Sequence, residues 1–142
     1  MPRCSDYTGS NALSHANMLF RQFFDSDSST FTYLIASARG QQCLIVDPVL
    51  GQVKEYLRAI KELDLTLVSA LDTHIHADHI TALGSLADTT GCTARMSATA
   101  KVEGAVAFQD GDEVGLADLP MRALATPGHT DESFSFVMPD RV

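Results

Sequence analysis

The sequence lacks three features that would each point to a particular class of protein: a basic cluster, a long apolar run and a pair of closely spaced cysteines. Acidic residues outnumber basic ones by 18 to 10, giving a net charge of −8. This balance argues against nucleic acid or an anionic membrane as a partner. No apolar segment approaches the roughly 18 residues that cross a bilayer, and the N-terminus has no apolar signal region. The sequence therefore predicts a soluble cytoplasmic protein.

The cysteines exclude a disulfide framework. Cys4, Cys43 and Cys92 are odd in number, widely separated and contain no CxxC pair, which predicts free thiols in a reducing compartment. A chain of 142 residues has the length of one ordinary domain. Residues 1–17 are polar and aperiodic and predict a flexible leader, so the folded domain is expected over residues 18–142.

The first part of that domain alternates strand and helix patterns. Residues 30–37 and 43–46 are rich in β-branched and apolar side chains and predict an antiparallel hairpin. Residues 52–63 place apolar side chains at helical spacing and predict an amphipathic helix. A continuous apolar run over residues 65–71 predicts a buried strand, and a further helix is expected through Ile80, Leu83, Leu86 and Ala87. The pattern predicts an α/β (α+β) domain.

The later part carries shorter signals. Strands are predicted over residues 93–96, 106–108, 121–125 and 133–137, with a helical turn over 98–102. The acidic cluster at residues 110–113 resembles a calcium loop only in composition, because the spacing and flanking helices of an EF-hand are absent. We interpret it as a polar hairpin turn.

One short segment concentrates metal-binding side chains. Residues 73–79 read Thr-His-Ile-His-Ala-Asp-His and begin two residues after a predicted strand, where α/β sheets usually carry their sites. His74 and His76 are two apart, so an extended backbone projects both rings to one side, while Asp78 and His79 can approach the same point from the start of the next helix. Imidazole and carboxylate together suit zinc or iron. This segment is called the histidine loop below.

His129 follows Pro127 and Gly128, which predict a tight turn at the end of a strand. A histidine in that setting is often structural. It would lie beside the histidine loop if the two preceding strands were neighbours in one sheet. Four of the five histidines lie in these two segments, which argues against chance histidines in polar loops and for a metal site.

The Thr-His-x-His-x-Asp-His pattern with a downstream Pro-Gly-His-Thr resembles the signature of the metallo-β-lactamase superfamily. Residues 20–24 (Phe-Arg-Gln-Phe-Phe), 30–34 (Thr-Phe-Thr-Tyr-Leu) and 47–49 (Asp-Pro-Val) are most similar to the persulfide dioxygenases, the group related to the ethylmalonic encephalopathy protein. The resemblance begins near Met18. It implies a four-layer αββα sandwich of two similar halves, of which this chain supplies the first half and the start of the second. We therefore expect a C-terminally truncated member.

The resemblance also implies an activity and a ligand set. Persulfide dioxygenases oxidise glutathione persulfide with O₂ to sulfite and glutathione at one non-haem Fe(II), held by two histidines and an aspartate. Matching the motifs gives His74 and His129 as the catalytic metal ligands, and His76, Asp78 and His79 as a second-metal set or as residues that support the first ligands. The third ligand lies in a Thr-Gly-Asp segment in that family. No such segment occurs before Val142, and Asp140 has the setting of a hairpin turn.

Three functions remain open at this point. The first is the iron persulfide dioxygenase, with weak or absent activity in the chain as given. The second is a glyoxalase II-like thioester hydrolase, in which two zinc ions use all five of the metal-binding side chains. The third is a non-catalytic remnant that binds a partner or a second copy of itself. A sheet that ends early exposes an edge and an apolar face, so we expect self-association, as a homodimer, through that edge.

Overall fold

The structure is a computed structural model that describes residues 18–138. The leader at 1–17, Cys4 and Asp140 lie outside the described residues, so the predictions made for them stay predictions. Cys43 and Cys92 are buried free thiols, as expected. No helix within the described part of the chain is long and apolar enough to cross a membrane.

Six strands form the main sheet in chain order, from β1 at one edge to β6 at the other. The first three strands pair antiparallel, and the pairs from β3 to β6 are parallel. A second, antiparallel sheet contains two further strands. The main-sheet strands are β1 (Leu19–Asp25), β2 (Thr30–Ala36), β3 (Gln42–Val46), β4 (Thr66–Leu71), β5 (Thr93–Ser97) and β6 (Val106–Phe108), and the second sheet holds β7 (Arg122–Ala125) and β8 (Phe134–Val137). The predicted hairpin of β2 and β3 is confirmed.

Two helices supply the crossovers of the first two parallel pairs, β3–β4 and β4–β5. Helix α1 (Val53–Glu62) joins β3 to β4, and helix α2 (Leu83–Thr90) joins β4 to β5. Helix α1 buries Tyr56, Ala59 and Ile60, of which Tyr56 and Ile60 belong to the apolar stripe predicted from the sequence. A short 3₁₀ turn at Ala98–Ala100 takes the place of the helical turn predicted over residues 98–102.

The prediction that the second helix runs through Ile80 is wrong. Ile80 is 71% exposed and precedes α2, because its carbonyl oxygen accepts a hydrogen bond from Leu50 N at 2.9 Å. Thr81 forms an isolated β-bridge with Val49. These contacts hold residues 80–81, which directly follow the histidine loop, in an extended conformation, and the helix begins only at Leu83.

Buried side chains form two clusters, one on each face of the main sheet. The first packs the sheet against the helices and includes Leu34, Ile45, Tyr56 and Leu86. The second lies between the two sheets and includes Leu44, Leu71, Phe108 and Phe134. Helices, sheet and a small second sheet therefore stack as layers, which confirms the expected first half of a sandwich and the opening of its second half.

Exposed aromatic side chains mark the β1 edge of the main sheet. Phe20 and Phe24 are each 51% exposed and Phe31 is 45% exposed. The rings of Phe24 and Phe31 lie 4.9 Å apart. The self-association predicted from the sequence concerns a different edge, the one where the second sheet ends early, and it stays a prediction.

Tyr56 joins α1 to the main sheet, and the loss of its hydroxyl should destabilise the protein. The hydroxyl of this fully buried residue accepts a hydrogen bond from Val49 N at 3.0 Å and lies 3.0 Å from Thr32 Oγ1. Tyr56→Phe leaves the Val49 N–H without an acceptor, so we expect a loss of about 1–3 kcal/mol in the free energy of unfolding, measured by urea denaturation.

Tyr33→Phe is the matched control for this substitution. The Tyr33 hydroxyl has no hydrogen-bond partner among residues 18–138, and its loss should change stability by less than about 0.5 kcal/mol. Equal losses for the two variants would show that the Tyr56 hydroxyl does not stabilise the fold.

Candidate metal centre

The histidine loop lies at the carboxyl end of β4, as predicted. Strands β3 and β4 run parallel, so the residues that follow them meet at the same edge of the sheet. Asp47 follows β3 and Asp72 follows β4, and both are buried. The sheet therefore brings two carboxylates beneath the three imidazoles of the loop.

The four histidines form a continuous row of rings. Ring centroids are 4.9 Å apart for His129 and His74, 4.1 Å for His74 and His76, and 4.2 Å for His76 and His79. The rings of His74 and His129 meet edge to face at 90°. All the histidines proposed from the sequence are thus brought together.

Each ring of the loop has one nitrogen held by a neighbouring oxygen. Thr73 Oγ1 lies 2.8 Å from His74 Nδ1, and Asp47 Oδ1 lies 2.9 Å from His76 Nε2. His79 Nδ1 lies 3.1 Å from both Asp78 Oδ1 and Thr30 Oγ1. Such partners fix the orientation and tautomer of a ligating imidazole, leaving His74 Nε2, His76 Nδ1 and His79 Nε2 able to bind a metal.

Asp47 connects the sheet to the loop, and its role was missed in the sequence. Its carboxylate accepts hydrogen bonds from Thr73 N at 2.7 Å and from Thr73 Oγ1 at 2.8 Å, and also contacts His76. Asp47 was noticed only as part of a family segment. Its position directly after a buried strand, next to a strand that ends in the histidine loop, was the available signal.

Burial and neighbouring charges divide the imidazoles into two kinds. Burial lowers the pKa of His74 and of His79, and the charge of His76 adds to the effect on both. Burial acts in the same direction on His76, but the hydrogen bond and negative charge of Asp47 outweigh it and raise the pKa of His76. The two rings with lowered pKa are neutral at pH 7, which is the form that binds a metal.

Asp72 is the most strongly perturbed carboxyl group. Burial raises its pKa to about 7, and the nearby charge of Asp47 acts in the same direction. Asp72 Oδ1 lies 4.0 Å from His76 Nε2 and has no hydrogen-bond partner in the described part of the chain. A cation bound beside it would stabilise the ionised form.

The turn that carries His129 reaches the histidine loop from the second sheet. From the sequence, His129 was expected beside the histidine loop if β4 and β7 were neighbours in one sheet. That condition is not met, because the two strands lie in different sheets. Instead Phe134 N donates to Thr73 O at 2.8 Å, and Ile75 N donates to Glu132 Oε1 at 3.2 Å. Packing between sheets therefore replaces the expected strand pairing.

The donor set fits a metal ion. His76, Asp78 and His79 each offer one ligand atom within 4.8 Å of the others, and so do Asp47, Asp72 and His76. His79 Nε2 is buried without a hydrogen-bond partner among residues 18–138, and a metal ion would satisfy it. His74 and His129 belong to neither three-donor group, so their role as the two iron ligands stays a prediction.

A cavity of about 490 Å³ opens beside these donors. Its lining includes His76, His79 and Asp72, together with apolar side chains of α2 and β5, among them Leu83 and Met96. A volume of this size accommodates a small organic molecule. The cavity therefore gives a small molecule access to the rings of His76 and His79.

Asp47→Asn should weaken metal binding. The backbone of Asp47 has a φ of +54°, which asparagine tolerates, but the amide offers only one oxygen for Thr73 and presents N–H groups to the other donors. Loss of such an outer partner typically lowers metal affinity by roughly 10- to 100-fold, and we expect that loss in a Co(II) competition titration.

Asp64→Asn is the matched control, since Asp64 has a similar φ of +56° and lies between α1 and β4, outside both three-donor groups. Its metal affinity should stay within about twofold of the wild type. A wild-type affinity for Asp47→Asn would contradict the assigned role.

Comparison with known proteins identifies relatives of this arrangement. The sequence profile of the metallo-beta-lactamase superfamily matches residues 26–142. The mitochondrial persulfide dioxygenase ETHE1 of Bos taurus is 35% identical over 139 residues, covering 97% of this chain and 53% of that protein. The Homo sapiens protein of the same name is 37% identical over 128 residues, covering 89% and 50%.

A solved structure agrees with these sequence relatives. The crystal structure of ETHE1 from Myxococcus xanthus shares 49% sequence identity and superposes with a TM-score of 0.80, covering 86% of this chain and 54% of that chain. This chain thus spans about half the length of each of these relatives. The predicted similarity to persulfide dioxygenases is confirmed for that half.

Proposed function

The chain belongs to the metallo-β-lactamase superfamily, and we propose that it has the activity of a persulfide dioxygenase, with a single Fe(II) held by His74 and His129. The observation that carries this proposal is the edge-to-face contact of these two rings, whose centroids lie 4.9 Å apart. The chain also shares 49% sequence identity with ETHE1 from Myxococcus xanthus, whose structure is solved. Two histidines and one carboxylate are the ligands of many non-haem iron oxygenases.

The proposed substrate is glutathione persulfide. With O₂ and water it gives glutathione and sulfite, and the electrons that the outer sulfur loses are those that reduce O₂. Iron(II), when bound, supplies the redox chemistry that this transfer of oxygen to sulfur requires.

The residues of the chain hold and orient the site. Thr73 fixes the ring of His74 through Nδ1, so that His74 binds through Nε2. Asp47 fixes His76, and Asp78 fixes His79. In this proposal His76, Asp78 and His79 support the ligand set, and holding the reactants in one place supplies much of the rate.

The 142 residues contain both proposed histidine ligands and lack the Thr-Gly-Asp segment that supplies the third ligand in the family. We therefore expect the 142-residue chain by itself to hold iron loosely and to oxidise persulfide slowly. The test is sulfite formation and O₂ uptake by the Fe(II)-loaded chain supplied with glutathione persulfide.

Slow sulfite formation above that of Fe(II) in buffer, abolished in His129→Ala, is the expected result. No sulfite above the buffer rate would contradict dioxygenase activity. Rates typical of an iron oxygenase would show that these residues complete the site without the missing carboxylate.

A glyoxalase II-like thioester hydrolase is the second candidate. The close approach of donor atoms from His76, Asp78 and His79 favours it, because it provides a place for a second metal ion. Two zinc ions hold a bridging hydroxide that attacks a thioester carbonyl. Hydrolysis of a glutathione thioester by the zinc-loaded protein, without any persulfide oxidation, would select this candidate over the first.

A further inference from the structure

The two halves of the proposed iron site are joined by very few bonds. His74 lies on the loop after β4 in the main sheet, whereas His129 lies between β7 and β8 in the second sheet. Across residues 18–138, two hydrogen bonds connect the histidine loop to the segment that runs from His129 into the first residue of β8. One is the backbone bond from Phe134 N to Thr73 O, and the other is the bond from Ile75 N to the Glu132 side chain.

We propose that Glu132 is a positioning residue that docks the His129 turn onto the histidine loop and so sets the spacing of His74 and His129. This inference rests on the proposed metal site. Ile75 directly follows His74, and Glu132 comes three residues after His129. The bond between them therefore connects the backbone next to one proposed ligand to the turn that holds the other.

The turn is braced internally, so a tether at Glu132 also places His129. Ser133 Oγ lies 3.1 Å from Thr130 N and 2.7 Å from Thr130 Oγ1. Gly128 N donates to Thr130 O at 3.1 Å. These bonds hold residues 128–133 as one unit, in which a displacement at Glu132 is passed to His129.

The chemistry of Glu132 suits a tether. Hydrogen bonds from its own backbone N–H and from Ile75 N–H lower its pKa, so the side chain is ionised at neutral pH. A carboxylate that accepts a backbone N–H forms a charge-assisted bond, which is stronger than a neutral one.

Three variants separate the tether from other roles. Glu132→Ala removes the acceptor, whereas Glu132→Gln keeps a carbonyl oxygen that can accept from Ile75 N and removes the charge. Asp131→Asn is the matched control, because Asp131 is the adjacent acidic residue and its side chain accepts no hydrogen bond from the histidine loop. Amide hydrogen exchange is measured on the metal-free proteins, and Co(II) affinity is measured by spectroscopic titration.

The proposal predicts that Glu132→Ala speeds exchange of the Ile75 amide at least about tenfold and lowers Co(II) affinity roughly 10-fold, the lower end of the loss caused by removing a group bonded directly to a metal ligand. Glu132→Gln should stay within about threefold of the wild type in both measurements, and Asp131→Asn should match the wild type. The amides of Leu44 and Ala70 in the buried strands report global unfolding and should not change.

Two results would overturn the proposal. If Glu132→Ala leaves the Ile75 amide and the Co(II) affinity unchanged, Glu132 positions nothing. If Glu132→Gln loses as much affinity as Glu132→Ala while the Ile75 amide stays protected, the charge acts directly on the metal. Should Glu132→Ala also expose the Leu44 and Ala70 amides, Glu132→Met replaces it under the same criteria. The exchange measurement needs no persulfide, so failure of the dioxygenase proposal would be seen separately.

Discussion

His74→Ala and His129→Ala should each lower the affinity for Fe(II) by more than about 100-fold. Both are proposed ligands, and their rings lie 4.9 Å apart. Removing an outer partner of a ligand already lowers metal affinity by roughly 10- to 100-fold, so removing a ligand should have a larger effect. Anaerobic titration of the metal-free protein with Fe(II), in competition with a chelator, measures the affinity.

His15→Ala is the matched control, since His15 lies outside both histidine-containing motifs, and it should bind Fe(II) as the wild type does. His79→Ala gives a second comparison. If His79 only supports the site, its loss should fall in the 10- to 100-fold range. A larger loss in His79→Ala than in His74→Ala would place the metal at His76, Asp78 and His79 instead.

Phe108→Ala should destabilise the protein by about 3–5 kcal/mol, the usual effect of removing a buried aromatic side chain. Phe108 is 1% exposed, and its ring packs edge to face against Phe134 at 5.1 Å and Phe136 at 5.6 Å. It therefore joins β6 of the main sheet to β8 of the second. Urea denaturation of the metal-free protein measures the free energy of unfolding.

The same substitution should weaken metal binding, because Phe134 also donates its backbone N–H to Thr73 O. Phe24→Ala is the control. Phe24 is 51% exposed and packs against Phe31 at the β1 edge, so its loss should cost less than about 2 kcal/mol and leave metal binding unchanged. Equal destabilisation by the two substitutions would contradict the role given to the core between the sheets.

The local sequence pattern was enough to predict those elements that face solvent on one side and a single core on the other. The stripe of residues 52–63 predicted α1 to within about a residue at each end, because its apolar face meets one sheet. The start of α2 was misplaced, since apolar Ile80 suggested a helix while a backbone bond from Leu50 holds its carbonyl. That bond joins residues thirty positions apart, and local periodicity contains no information about it.

The candidate site divides in the same way. His74, His76, Asp78 and His79 were predicted because they are adjacent in the sequence and of the types that metals prefer. The sequence did not predict the contacts that Asp47 and Glu132 make with the histidine loop, since each reaches the loop from a distant segment of the chain. His129 does lie beside the loop, but not through the pairing of β4 and β7 in one sheet that the sequence suggested. The two strands belong to separate sheets that pack face to face.

The number and identity of the bound metal ions distinguish a mononuclear iron site from a dinuclear zinc site. Metal-free protein is dialysed anaerobically against Fe(II) and, separately, against Zn(II), and the bound metal per chain is determined by elemental analysis. With free Fe(II) in the dialysis buffer held well above its dissociation constant, so that a loosely held ion is still counted, we predict one Fe(II) per chain, lost in His74→Ala and in His129→Ala and retained in His15→Ala. Two Zn(II) per chain with no retained iron would contradict the mononuclear iron site, and no bound metal of either kind would contradict a metal centre in these 142 residues.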